Sequence, residues 1–115
     1  MSPSQVEYLQ HMLDETDFLL NSSKDVSFTK FLSDETLKRA YVRSLEIIGE
    51  ASKKVSIEFK LKYPELEWKM IAGTRDKLIH DYFGVDYELV WDIVTTKIPA
   101  LKGQVTEILQ RERKL

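Results

Sequence analysis

The chain contains no cysteine. Disulfides, thiol nucleophiles and Cys-based zinc sites are excluded together, and the absence is compatible with a reducing compartment. Histidine is almost as scarce. His11 and His80 are the two present, and they lie too far apart in sequence to suggest a His-based metal site. Glycine and proline are few, at 4 and 3 residues, and no linker-like or low-complexity tract is seen. No apolar run approaches the ~20 residues that span a bilayer. No charged-then-apolar leader opens the chain. No strand-like alternation and no internal repeat is visible. These absences lead to the expectation of a cytoplasmic protein that neither enters a membrane nor needs a metal or cofactor.

What remains suits one folded domain covering residues 1–115. Apolar residues make up 43% and charged residues 31% of the 115 positions, enough for a real core without staples. The net charge of −2 hides a gradient. Residues 1–33 carry two Lys against five acids, residues 71–92 carry Arg75 and Lys77 against five acids, and residues 97–115 carry five Lys or Arg against two Glu. A chain that grips nucleic acid with its whole surface is basic overall. This chain is not, so any RNA or DNA contact has to use a local cleft.

Helix signals dominate. Ser2 reads as an N-cap with Pro3 at the first helical position and Gln5 closing a capping box. Val6, Leu9, Leu13 and Leu20 follow at helical spacing. A short helical turn is expected near Phe28 to Leu32. Ser33 or Asp34 caps a longer helix whose stripe is Leu37, Tyr41, Leu45, Ile48, Ala51 and Val55. Unbroken from 34 to 62, it would span on the order of 40 Å. Gly49 inside it marks a place where a neighbouring helix comes close. A further helix is expected from about Glu65 to Phe83, stopped by Gly84. Asp86 caps the last one, whose stripe Val90, Val94, Ile98, Leu101, Val105, Ile108 runs straight through Pro99 and predicts a kink rather than an end. The sum is an all-α, up-and-down bundle of four main helices plus a short one.

One segment carries chemistry: Arg75-Asp76-Lys77-Leu78-Ile79-His80-Asp81-Tyr82. A guanidinium binds phosphate, an imidazole moves a proton near neutral pH, and a phenol offers a modifiable hydroxyl. RNA brings its own nucleophile in the 2′-OH, so cleavage proceeds without metal once a base activates that hydroxyl and a cation meets the developing charge. In a regular helix Asp76 and His80 share a face, four residues apart. Arg75 and His80, five apart, point roughly 140° away from each other. Either the helix loosens before Gly84, or two copies face each other across one composite cleft. The bland alternative is a surface network with His80 favoured by the helix dipole.

The run Arg75-x-x-x-x-His80-x-Tyr82 resembles the R-x4-H-x-Y signature of HepT-like toxins in the HEPN superfamily. Ile48-Gly49-Glu50-Ala51, Trp68 through Ile71, and Tyr82-Phe83-Gly84-Val85-Asp86 with Val90-Trp91 are similar as well, and the likeness covers nearly the whole chain. The resemblance implies a HEPN-like all-α homodimer with a composite active site. It implies a metal-independent endoribonuclease, the toxin of a type VII-like toxin–antitoxin pair acting on RNA. Its partner would be a minimal nucleotidyltransferase antitoxin that silences it by AMPylation of Tyr82. Arg75 and His80 would be catalytic. From their own positions, Asp76 would orient the imidazole and Glu50, in the long helix, would be a supporting residue.

Other residues have plainer readings. Glu50 serves equally as a solvated or interface glutamate, and Tyr82 as a core aromatic with a wet hydroxyl. His11 reads as exposed, and Trp68 and Trp91 as packing anchors. Lys53-Lys54, Lys60-x-Lys62 and the tail Arg111 to Lys114 form a solvated face, or a patch that guides RNA. A non-catalytic helical module that docks a nucleotidyltransferase, or holds a nucleotide, is the alternative from another functional class, and it accounts better for the acidic balance.

Overall fold

The computed structural model describes residues 4–80 and 84–114, with the backbone alone for His80. The first helix, α1 (Gln5–Ser23), begins two residues later than the Ser-Pro signal predicts. Ser4 is its N-cap and accepts from the Glu7 amide, while Ser2 and Pro3 lie outside the described residues. Gln5 closes no capping box, because its Oε1 accepts from the Ser56 amide at 2.7 Å. Leu9, Met12, Thr16 and Leu19 are its buried face. Val6, Leu13 and Leu20 are only partly buried against the core, so the stripe lies slightly round the helix from the one the spacing suggests.

The short helix appears as α2 (Phe28–Ser33), with Phe31 fully buried. Asp34 then caps α3 (Glu35–Lys54) by accepting from the Leu37 amide at 3.0 Å. The expected rod to residue 62 is broken. Val55 is extended, Ser56 caps a new helix α4 (Ile57–Lys62), and the Ser56 hydroxyl accepts from the Phe59 amide. The apolar steps Ala51, Val55 and Phe59 carry through the break, which is why it reads as one helix. A serine that satisfies the new helix's amide outweighs that periodicity.

The helix expected over 65–83 is also divided. α5 (Trp68–Ala72) meets α6 (Thr74–Leu78) at Gly73. α6 stops at Leu78, where Ile79 turns extended and the chain forms a two-residue antiparallel pair, β1 (Ile79–His80) with β2 (Gly84–Val85). Ile79 lies opposite Val85 and His80 opposite Gly84. The Asp86 amide donates to the Leu78 carbonyl at 2.8 Å. β-branched Ile79 and Val85 favour the extended pairing. Gly84, with φ of 75°, serves this reversal rather than capping a helix.

Asp86 caps α7 (Tyr87–Asp92) as expected. A π turn (Ile93–Lys97) joins it to α8 (Ile98–Arg113). The Ile98 amide donates to the Ile93 carbonyl, the wide ring of a π turn, and the rod runs on through Pro99. Thr95 and Thr96 hydroxyls donate to the carbonyls of Trp91 and Asp92, so the disturbed turn keeps its acceptors satisfied. The predicted stripe from Val90 to Ile108 is buried throughout. The architecture is thus all-α: α1, α3 and the α7–α8 rod surround one core, the broken α5–α6 segment fills the fourth place, and α4 is an extra short helix.

Candidate active site

Gly49 sets the position of the Arg75 segment. The backbone of α5 lies so close that a Cβ on Gly49 would stand 3.2 Å from the Ile71 carbonyl oxygen and 3.7 Å from that of Ala72. The contact brings α6 alongside α3. Arg75, in α6, donates from Nε to Glu46 Oε2 at 3.1 Å. The arginine side chain is 57% exposed and the glutamate 21%, so the pair sits at the surface with its acidic half set into the wall. Glu46 was not among the residues the sequence singled out. Its signal is positional: it lies three residues before Gly49, on the face that the approaching segment meets.

The remaining predicted residues are placed as follows. Asp76 is exposed on α6. Glu50 is exposed on α3 and accepts from Arg43 Nη1 at 3.3 Å, a bond directed along its own helix rather than toward Arg75. Tyr82, with Asp81, lies outside the described residues. His80 does not continue α6: the Ile79 amide still donates to the Arg75 carbonyl, but Ile79 has φ −106° and ψ 117°, and His80 follows in the strand pair. The helical alignment of Asp76 with His80 therefore does not hold. Nor does the 140° divergence of Arg75 from His80. The helix loosens before Gly84, the first of the two routes open from the sequence, and the five-residue offset gives no argument for a second subunit.

The profile of a family described as "Ribonuclease HepT-like" matches residues 11–108. The chain belongs to the HepT-like ribonuclease family. It is similar, at 53% identity over 106 residues, to "Putative RNase TTE0752" of Caldanaerobacter subterraneus subsp. tengcongensis, covering 92% of this chain and 95% of that one. A similarly named protein of Methanocaldococcus jannaschii is 44% identical over 104 residues, covering 90% of this chain and 83% of its own. "Probable ribonuclease HepT" of Thermococcus cleftensis is 40% identical over 108 residues, covering 94% and 98%. No solved structure matches the chain significantly.

A HepT-like ribonuclease has to meet a polyanion, which makes the distribution of cations informative. Several cations of the tail, and Lys62 beside it, are already engaged. Arg111 meets Glu107 and Glu65, Lys62 meets Glu112 at 2.8 Å, and Arg113 donates to Gln10 at 2.6 Å. Lys53 and Lys54 are exposed in the last turn of α3, the end of the helix where cations are favoured. A groove beside α6 has an apolar floor that includes Leu45, Ile48 and Ile98. Its rim mixes Lys77 and Lys97 with Glu65, Glu67 and Asp92. That lining does not suit a phosphate backbone. His11 is exposed on α1. Trp68 is buried and donates to the Tyr63 carbonyl at 2.9 Å, while Trp91 packs on Phe31. Both tryptophans are the packing anchors expected. No helix among the described residues is long and apolar enough to cross a membrane.

Proposed function

We propose that this chain is a metal-independent endoribonuclease, the toxin of a cytoplasmic toxin–antitoxin pair. Arg75 holds the scissile phosphate and His80 acts as general acid or base; Asp76 orients the imidazole across the break between α6 and β1 rather than along a shared helix face, and Glu50 is a supporting residue on α3. The 2′-OH loses its proton to a base, its oxygen attacks phosphorus, and the 5′-oxygen leaves with a proton from an acid. The guanidinium stabilises the charge that builds on the phosphoryl oxygens. The observation that supports this reading best is the exposed Arg75 guanidinium, tied to α3 through Nε, within an Arg75–His80–Tyr82 run in a chain of the HepT-like ribonuclease family.

Two further parts of the reading rest on the family resemblance. The active form is a homodimer whose two motifs face one cleft. A minimal nucleotidyltransferase partner silences it by transferring AMP from a nucleoside triphosphate to Tyr82, with pyrophosphate leaving. A bulky anion there blocks the cleft and repels RNA.

The test compares the wild-type chain with Arg75→Ala and His80→Ala, each expressed alone, for growth inhibition and for RNA cleavage in the presence of a chelator. Both variants are expected to lose cleavage and toxicity. Equal cleavage and equal growth inhibition by all three would overturn the catalytic assignment.

A further inference from the structure

We propose that Glu46 is the positioning residue for the Arg75 guanidinium, so that it orients the phosphate-binding fork while itself taking no part in the chemistry; this rests on the ribonuclease reading above. Nε of arginine carries a single hydrogen, so a bond at Nε sets the plane of the guanidinium. It leaves the end-on pair of Nη groups pointing away from the acceptor. Glu46 Oε2 takes that one hydrogen at 3.1 Å, and among the described residues Arg75 Nη1 and Nη2 meet no acceptor.

Three of the other four arginines are held differently, while Arg39 is approached at Nε as well, by Glu35 of its own helix at the longer distance of 3.9 Å. Arg43 donates through Nη1, and Arg111 and Arg113 through Nη2. Their forks are engaged, and their partners compete directly with any phosphate. Arg75 is held by its flank. Glu46 is also the more enclosed member of the pair, at 21% exposure against 57%, on a helix whose backbone contacts α5 at Gly49. The anchor is therefore on the rigid side and the fork on the wet side. A bidentate contact to phosphate gains when the planar fork is pre-oriented, because less freedom is lost on binding.

The opposite possibility is that Glu46 merely neutralises Arg75 and competes with RNA for it. Substitution by Gln separates the two, since Gln keeps an oxygen acceptor for Nε and removes the charge. The experiment measures kcat and KM for cleavage of a fluorescein-labelled single-stranded RNA of mixed sequence. It covers wild type, Glu46→Ala, Glu46→Gln and, as a charge control remote from the site, the exposed Glu7→Gln. Thermal unfolding confirms that each variant is folded. Glu46→Ala is expected to lower kcat/KM about tenfold, the scale of a lost charge-assisted hydrogen bond, and Glu46→Gln to stay within about threefold of wild type.

Unchanged or improved kcat/KM in Glu46→Ala, with Arg75→Ala still inactive, overturns the positioning role and leaves the ribonuclease reading standing. An equal loss in Ala and Gln overturns it too, because charge alone would then matter. A wild-type chain that cleaves no RNA overturns the underlying reading and this inference with it.

Discussion

Gly49 of α3 lies against the carbonyl oxygen of Ile71 in α5, so close that an added Cβ would stand 3.2 Å from it. That separation admits a Cβ only if the neighbouring backbone yields by a few tenths of an ångström. Ala in place of Gly gains roughly 1 kcal/mol of helix propensity, which offsets the strain. Gly49→Ala is therefore expected to stay within about 1 kcal/mol of wild type in urea unfolding. Gly49→Leu has no such balance and is expected to cost about 1–3 kcal/mol, the range for overpacking. It should also weaken RNA cleavage beyond what stability explains, because pushing α5 away carries Arg75 from Glu46.

Phe31 fastens α2 to the bundle. Its ring is fully buried, stacks on Tyr41 with centroids 5.1 Å apart, and lies 5.2 Å from Trp91. Tyr41 in turn shares a hydrogen bond with Ser22 at 2.9 Å. Phe31→Ala is expected to cost about 3–5 kcal/mol, read as a fall in the denaturant midpoint. An effect below about 1 kcal/mol would mean that α2 does not depend on this cluster.

Glu112 links α8 to α4. It accepts from Lys62 at 2.8 Å and from the Tyr63 hydroxyl. The Lys62 bond first, and then the Tyr63 bond, hold its carboxyl below the ordinary value of 4.5. Below pH 4.5 the unfolded chain therefore takes up a proton that folded Glu112 still refuses, so stability falls as pH falls. The contribution is present in full above pH 4.5 and disappears as pH drops through the folded value. Glu112→Gln is expected to be less stable than wild type at neutral pH, with the gap closing under acid. Urea midpoints at a series of pH values measure it, and a gap that stays constant from neutral pH to pH 3 would contradict the linkage. On the alkaline side, Lys62 is raised above 10.5 by its bond with Glu112, so its share persists below pH 10.5 and is lost as pH climbs through the folded value.

Tyr82 separates the toxin reading from a docking module. After co-expression with a minimal nucleotidyltransferase, intact-mass and peptide mass spectrometry are expected to find AMP on Tyr82, and cleavage is expected to fall. Tyr82→Phe should escape both effects. A stable complex without an adduct, from a chain that cleaves no RNA, favours the module.

Helix identities were legible where periodicity and capping agreed. Asp34, one of the two caps open from the sequence, and Asp86 cap their helices, and the stripe from Val90 to Ile108 is buried as read. The reading failed at Ser56 and at Ile79. At Ser56 an apolar period continues across a break made by a side-chain cap. At Ile79 a strand pair too short to show alternation replaces the end of a helix. Glu46 was missed because its one signal, its place a turn before Gly49, says where a neighbouring segment comes close but not that an arginine will be on it.

The sequence by itself determined the all-α class and the family, and singled out the run from Arg75 to Tyr82 as the candidate for chemistry, because these depend on composition, spacing and residue type within short windows. Only the tertiary structure decided where α6 ends and which carboxylate meets Arg75. Those outcomes depend on contacts between segments distant in the chain. Gly49 against Ile71 and Glu46 against Arg75 join α3 to residues more than a score of positions away, and no local pattern carries that pairing.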